Sequence, residues 1–335
     1  MNIFSKMFKL LRKVASSRTL LKIIILFQVL LGRYFKLSRS NLKCLFTKLY
    51  CFSFSFITSI FMYSDFEFSS NSVLHLEYCC SVITSLIFSD KYFHNFYNSI
   101  RTIDRIIGFK NIPLFNKYLY ALIFVSVTLR LFLTVSICFI IKPVFHTFVP
   151  LTIMWTCLDF SHIFIDIIFS MLHSRMRLLR YFVENNSIPI NFVGKNEVAI
   201  SRKHIRKSLH YYDHLLDSME FVDKQMQYQQ IPVLTMLVAP EIVHTLCDLS
   251  CPAIIVEAIM YEVDKIRKTL TKQLVRCSDE SLRYELETAL QYVSLRPFRY
   301  TIGRAVSLNI YLPFSLISLC ITYVIVALQL SHFTI

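Results

Sequence analysis

"ITYVIVALQL", residues 321–330, closes a run that begins near residue 308 and stays apolar almost throughout. About 20 apolar residues cross the hydrocarbon core of a bilayer as one helix, and 308–330 is long enough to do so. Tyr311, Ser315, Ser318, Thr322, Ile325 and Gln329 recur at alternating steps of four and three, which places them on one helical face. All but Ile325 are polar, while Leu312, Phe314, Leu316, Ile317, Val324, Val326 and Leu328 fill the other faces. Lipid satisfies neither an amide nor a hydroxyl, so this stripe meets water or another helix. Spacing alone leaves two readings open. Several copies wall an aqueous pore with Gln329 as one ring of it, or the hydroxyls bond back to their own helix and the amide ties helices together.

Composition agrees that the chain lives in a membrane. Its 335 residues are 55% hydrophobic, with 30 Phe, 18 Tyr and 4 Gly, and the mean hydropathy is +0.51. A soluble fold would have to expose much of that apolar surface. The net charge of +14 does not mark a nucleic-acid binder, because the basic residues alternate with apolar blocks in the manner of cytoplasmic loops. Cys44, Cys51, Cys79, Cys80, Cys138, Cys157 and Cys320 lie inside apolar runs, where a thiol serves as a small hydrophobe. There is no CxxC pair, GxSxG, HExxH, P-loop or GxGxxG. The expectation is therefore no metal, no cofactor and no enzyme activity.

Residues 119–141 and 148–171 are full-length apolar runs beside 308–330. Residues 44–63 make an aromatic-rich fourth span despite Lys48, and 72–89 a fifth, with Glu77 near its start. The stretch 231–263 is too long for one crossing and short for two. It is read as 231–249 and 251–263, either two short spans or a re-entrant pair, with a break at 250 beside Pro252. Ten Lys and Arg fall in 1–43, five in 91–117, nine in 172–228 and nine in 265–304, whereas 64–71 and 142–147 hold only Lys142. Positive loops stay cytoplasmic. The expected architecture is all-α and polytopic: a cytoplasmic or interfacial segment 1–43, then a seven-span domain 44–330, with the N-terminus inside and the C-terminus outside. A cleaved signal peptide is the alternative for the N-terminus, but no small-residue cleavage site follows 23–31.

Two cytoplasmic stretches carry helical apolar periodicity. One is Ile205, Leu209, Tyr212, Leu216, Met219, Val222 and Met226, and the other Leu282, Leu286, Ala289 and Val293. They predict a packed intracellular layer, or helices lying against headgroups. Inside the membrane, Asp159, His162 and Asp166 share one face of the fourth long run. Arg130 stands mid-span in the third, where a lone arginine costs roughly 2.5–3.5 kcal/mol to insert. Asp159 is its expected partner. The four residues read as a structural ion pair or pocket lining, with metal binding or proton relay as the alternative.

"TYVIVALQL" (322–330) resembles the terminal signature of the insect gustatory receptor family, seven-span chemoreceptors related to insect odorant receptors. "FRYTIGRAVSLNIYLPFSLISLCITYVIVALQ" (298–329) is similar to that family's last cytoplasmic turn and final helix, Gly303 included. "NFYNSIRTIDRIIG" (95–108), "MLHSRMRLLRYF" (171–182) and "IMYEVDKIRKTL" (259–270) resemble its segments after the second, fourth and sixth spans. The resemblance implies a ligand-gated, nonselective cation channel, a homo- or hetero-tetramer of related receptors in the lipid of a sensory neuron's plasma membrane, on dendrite, axon or cell body. It implies a small-molecule tastant as ligand. It implies that the final helices ring the pore, with Gln329, Ile325, Thr322 and Ser318 along it and Gln329 at the gate, while Thr322 and Tyr323 pack the helix. The chain departs from the family at Leu330, where the signature has Phe, and in 231–263, which is shortened. Two other classes make different predictions. A seven-span receptor coupled to G proteins places its N-terminus outside, against ten basic residues in 1–43. A secondary transporter ordinarily carries internal repeats, and the sequence shows none.

Overall fold

The structure is a computed structural model and describes residues 17–36, 40–63, 71–88, 92–107, 117–141, 145–186, 195–235, 242–302 and 306–333. Among them are ten α-helices and one short antiparallel strand pair, so the fold is all-α, as the sequence predicts. Three helices are long and apolar enough to cross a membrane, over Asn41–Phe61, Leu119–Ser136 and Phe148–Asn185, and shorter apolar helices cover Leu20–Leu30, Leu74–Ile87 and Tyr311–Tyr323. The chain divides into two compact units.

The first unit holds residues 1–98, 109–171 and 221–232. Its helices are α1 (Ser17–Leu30), α2 (Asn41–Tyr63), α3 (Asn71–Phe88), the start of α4 (Tyr92–Ile107), α5 (Lys117–Ile141) and the first part of α6 (Phe145–Asn185). The packing inverts that of a soluble protein. On α2 the buried positions are Cys51, Ser55 and Thr58, while Phe46, Phe52, Phe56 and Phe61 point outward. On α5 Arg130 is buried and Leu131, Phe132, Val135 and Phe139 are exposed. Small and polar residues at helix contacts with large apolar side chains outside is the arrangement that lipid favours, because lipid supplies no hydrophobic drive toward the interior. In water the same surface would be a large aggregating patch.

The second unit holds residues 99–108, 172–220 and 233–335. It contains the end of α4, the end of α6, most of α7 (Lys195–Thr235), α8 (Ile242–Arg276), α9 (Glu280–Leu295), β1 (Thr301–Ile302), β2 (Val306–Ser307) and α10 (Tyr311–Phe333). Helices α8 and α9 pack together. Asp279 reverses the chain between them, its carboxylate accepting from the amide of Leu282 at 2.9 Å and from the Ser281 hydroxyl at 2.6 Å. That is an N-cap. The buried face of α9 is Leu282, Leu286, Ala289 and Val293, the four positions that periodicity picks out. On α7, Ile205, Tyr212, Met219, Val222 and Met226 are buried, joined by Tyr211 and Leu215. The strands pair Thr301 with Ser307 and Ile302 with Val306.

Three expected boundaries differ. The 1–43 segment does not stand apart from the helices that follow: α2 starts at Asn41, and α1 buries Leu21, Ile24, Gln28 and Val29. Phe27 of α1 stacks on Phe160 of α6 at 5.6 Å. The fourth span does not end at 171, since α6 continues unbroken to Asn185. Its 41 residues make a rod of about 60 Å, twice the hydrocarbon thickness. No break occurs at 250. Helix α8 runs through Pro252 from Ile242 to Arg276, and residues 231–235 belong to α7. The connection between these helices, 236–241, lies outside the described residues, as does Gly303.

Candidate functional site

Helix α10 carries no charged residue and is apolar on most of its circumference. Its first turn is anchored, with Leu312 and Pro313 buried. Beyond that turn the described side chains are largely uncovered: Phe314, Ile317, Leu319, Ile321, Tyr323, Ile325 and Val326 are all exposed. The polar stripe is exposed too, at Tyr311, Ser315, Ser318, Thr322 and Gln329. A helix this apolar with this little cover requires lipid on part of its surface and something else against the stripe.

The hydroxyls divide from the amide. The Ser315 Oγ donates to the Tyr311 carbonyl at 3.0 Å, and the Thr322 Oγ1 to the Ser318 carbonyl at 2.9 Å. Both are satisfied within the helix, as serine and threonine often are in membrane helices. Gln329 differs, because a glutamine amide carries two donors and an acceptor, more than a single carbonyl of its own helix can satisfy. It is exposed near the end of the helix. Of the stripe's polar groups the amide asks the most of an outside partner, and the Tyr311 and Ser318 side chains are exposed on the same face.

A second group lies in the first unit. The Arg130 guanidinium of α5 grips Asp159 of α6 with two bonds, Nε to Oδ2 at 2.5 Å and Nη2 to Oδ1 at 2.6 Å. Both side chains are nearly buried. Arg130 also lies over the Trp155 ring at 5.4 Å, a favourable place for a cation. This two-pronged geometry is what an arginine buried in an apolar layer requires. Asp166 is buried further along α6, and His162 is half-buried. Among the described residues, no group of three His, Cys, Asp or Glu side chains is placed to hold a metal ion.

The second unit contains polar ties that no short motif announces. Arg175 of α6 donates to Asp104 of α4 at 3.0 Å, and the Tyr211 hydroxyl of α7 donates to the same carboxylate at 3.2 Å. Arg180 of α6 meets Glu262 of α8 at 3.2 Å. Asp104, Arg175 with Arg180, and Glu262 come from three separate segments of the chain, 95–108, 171–182 and 259–270. Arg296, at the end of α9, pairs with Asp213 and, at 2.6 Å, with Asp217 of α7, and the Tyr292 hydroxyl donates to Asp213 as well. The Tyr212 hydroxyl donates to the Arg296 carbonyl at 2.7 Å. Burial pushes the Tyr211 and Tyr212 phenols well above their ordinary value, so both remain protonated donors. Bonds from Arg296 to Tyr292 and Asp217 raise the arginine further and keep it charged.

No protein-family model and no curated protein matches the chain. Among solved structures, the chain is similar to that of the insect olfactory receptor OR5 from Machilis hrabei. The two are 11% identical, and the match covers 93% of this chain and 98% of that one with a TM-score of 0.46.

Proposed function

We propose that this chain is a subunit of a chemosensory, ligand-gated, nonselective cation channel of the insect gustatory receptor kind. It crosses the membrane seven times with its N-terminus inside, and four copies of it or of related receptors surround one pore. The carrying observation is Gln329: an exposed amide near the end of an otherwise largely apolar helix. It stands at the position the terminal signature gives to the pore glutamine. Four copies arranged with their stripes inward would set four amides around water. The ring would attract cations through carbonyl dipoles without the fixed charge that imposes strong selectivity.

Ile325, one turn earlier and exposed, is the apolar neighbour that closes such a passage by excluding water when the ring narrows. Thr322 and Ser318 continue the wall, and Tyr323, on another face, packs against a neighbour. The ligand is a small-molecule tastant, and the site of action is the plasma membrane of a sensory neuron. The first unit supplies the polar groups that a pocket needs, with Arg130–Asp159 holding α5 to α6 and His162 and Asp166 further along the same helix.

Expression of the chain in cells lacking such receptors, with currents recorded against a tastant panel, tests this reading. Gln329→Arg places four positive charges in the ring and abolishes cation current while leaving the protein at the surface. Wild-type currents and ion selectivity in Gln329→Arg would remove Gln329 from the conduction path.

A further inference from the structure

Helix α1 ends in a left-handed turn. Gly32 has φ of 90°. Its amide donates to the Val29 carbonyl at 3.1 Å, and the Arg33 amide donates to the Gln28 carbonyl at 2.9 Å. This paired closure is the Schellman motif, in which the residue after the left-handed glycine ordinarily folds an apolar side chain back onto the helix. Here that residue is an arginine.

The Arg33 side chain is 0% exposed. Its Nε, Nη1 and Nη2 have no hydrogen-bond partner. Arginine does not lose its proton in proteins, and an unpaired buried charge costs several kcal/mol even after relaxation. The surroundings do not offset this. The guanidinium lies over the Phe35 ring at 5.6 Å, and Phe35 packs edge-on against Phe164 at 5.1 Å. Gln28 is equally buried. Its amide nitrogen donates to the Phe160 carbonyl at 2.6 Å, and its Oε1 receives no donor. The interior of this unit thus holds a buried guanidinium with no described carboxylate paired to it.

We propose that Arg33 anchors a buried site for a compact anion, a halide or the carboxylate of a small molecule. A lipid phosphate does not fit, since headgroups reach only side chains with open surface and Arg33 has none. The turn that delivers Arg33 is rigid. A methyl on Gly32 would lie 2.6 Å from the Ser55 hydroxyl and 3.0 Å from that of Tyr78, so neither the glycine nor the aim of the arginine has freedom to change. The anion supplies the charge that the chain leaves out, and its binding stabilises the folded state by mass action.

The test uses the full chain purified in detergent, with unfolding followed through its one tryptophan, Trp155. Melts are run in chloride, acetate or gluconate at one ionic strength, gluconate being too bulky to enter. Chloride or acetate is expected to raise the midpoint by roughly 2–4 °C over gluconate, and Arg33→Gln to erase the difference. Arg33→Met, which removes the same charge with an apolar side chain, is expected to lose the difference as well. Coincident wild-type melts in all three salts would overturn the proposal. So would an anion dependence that survives undiminished in Arg33→Gln or Arg33→Met.

Discussion

Arg175 donates to Asp104 at 3.0 Å, and with Tyr211 bonded to the same carboxylate this single contact ties α4, α6 and α7 together. Arg175 is 1% exposed. Asp104→Ala takes the carboxylate away from this buried guanidinium, and breaking a buried pair costs on the order of 3–5 kcal/mol. Tyr211→Phe removes the hydrogen bond to Asp104, worth about 1 kcal/mol. Thermal unfolding of the purified chain, with surface expression in parallel, should rank the two variants in that order.

The Arg130–Asp159 pair predicts a different pattern. Either single replacement, Arg130→Met or Asp159→Leu, breaks a nearly buried ion pair from one side and should reduce folded protein severely. The double replacement restores charge balance and should recover most of the loss, because a buried pair is often no more stabilising than well-packed apolar residues. A double-mutant cycle on melting temperature or detergent half-life measures the coupling. A double variant as damaged as the worse single one would show that the pair has a role beyond neutralisation.

Gly32→Ala should destabilise the first unit by roughly 1–3 kcal/mol, since a side chain strains a backbone held at positive φ. Adding Ser55→Ala clears the 2.6 Å encounter but leaves those with the Phe54 ring at 2.9 Å and the Tyr78 hydroxyl at 3.0 Å, together with the backbone strain, so the double variant recovers only part of the stability. Comparison of the two melting temperatures separates the contributions.

Stability of the second unit should fall with acid. Glu285 is held below its usual 4.5 by hydrogen bonds from Arg206, and Asp279 is likewise depressed, by the Ser281 hydroxyl and the Leu282 amide. A carboxylate depressed in the folded state stabilises fully above its unfolded pKa and loses that contribution as pH falls through the folded value. The loss therefore sets in below about 4.5. Glu285→Gln removes one such group and should flatten the acid limb of melting temperature against pH while leaving the neutral plateau little changed, as solvent screens the pair.

Much of the fold is legible in the sequence because lipid imposes simple rules. The runs 44–63, 72–89 and 119–141 match α2, α3 and α5 within a few residues, since apolar length is the signal and the bilayer fixes it. Leu282, Leu286, Ala289 and Val293 are buried together because helical period is equally legible in water. Pro252 misleads: it predicts a break where α8 runs on, and membrane helices tolerate proline when neighbours satisfy the freed carbonyl. At the site, the spacing of Ser315, Ser318, Thr322 and Gln329 finds the stripe but not that two hydroxyls turn inward on their own backbone. Arg33 reads as one more basic residue in a positive segment. Its burial follows from the turn at Gly32, which a charge count does not register. Asp104, Arg175 and Tyr211 lie too far apart in the chain for any local pattern to join them.

The central claim is that water reaches the Gln329 amide through a passage lined by α10. Gln329→Cys, expressed at the cell surface and exposed to a charged, membrane-impermeant methanethiosulfonate, measures this directly. The account predicts that the thiol reacts, faster when the channel is stimulated, and that the attached charge changes the cation current. A cysteine there that stays unmodified at rest and under stimulation, in protein still conducting, would contradict it.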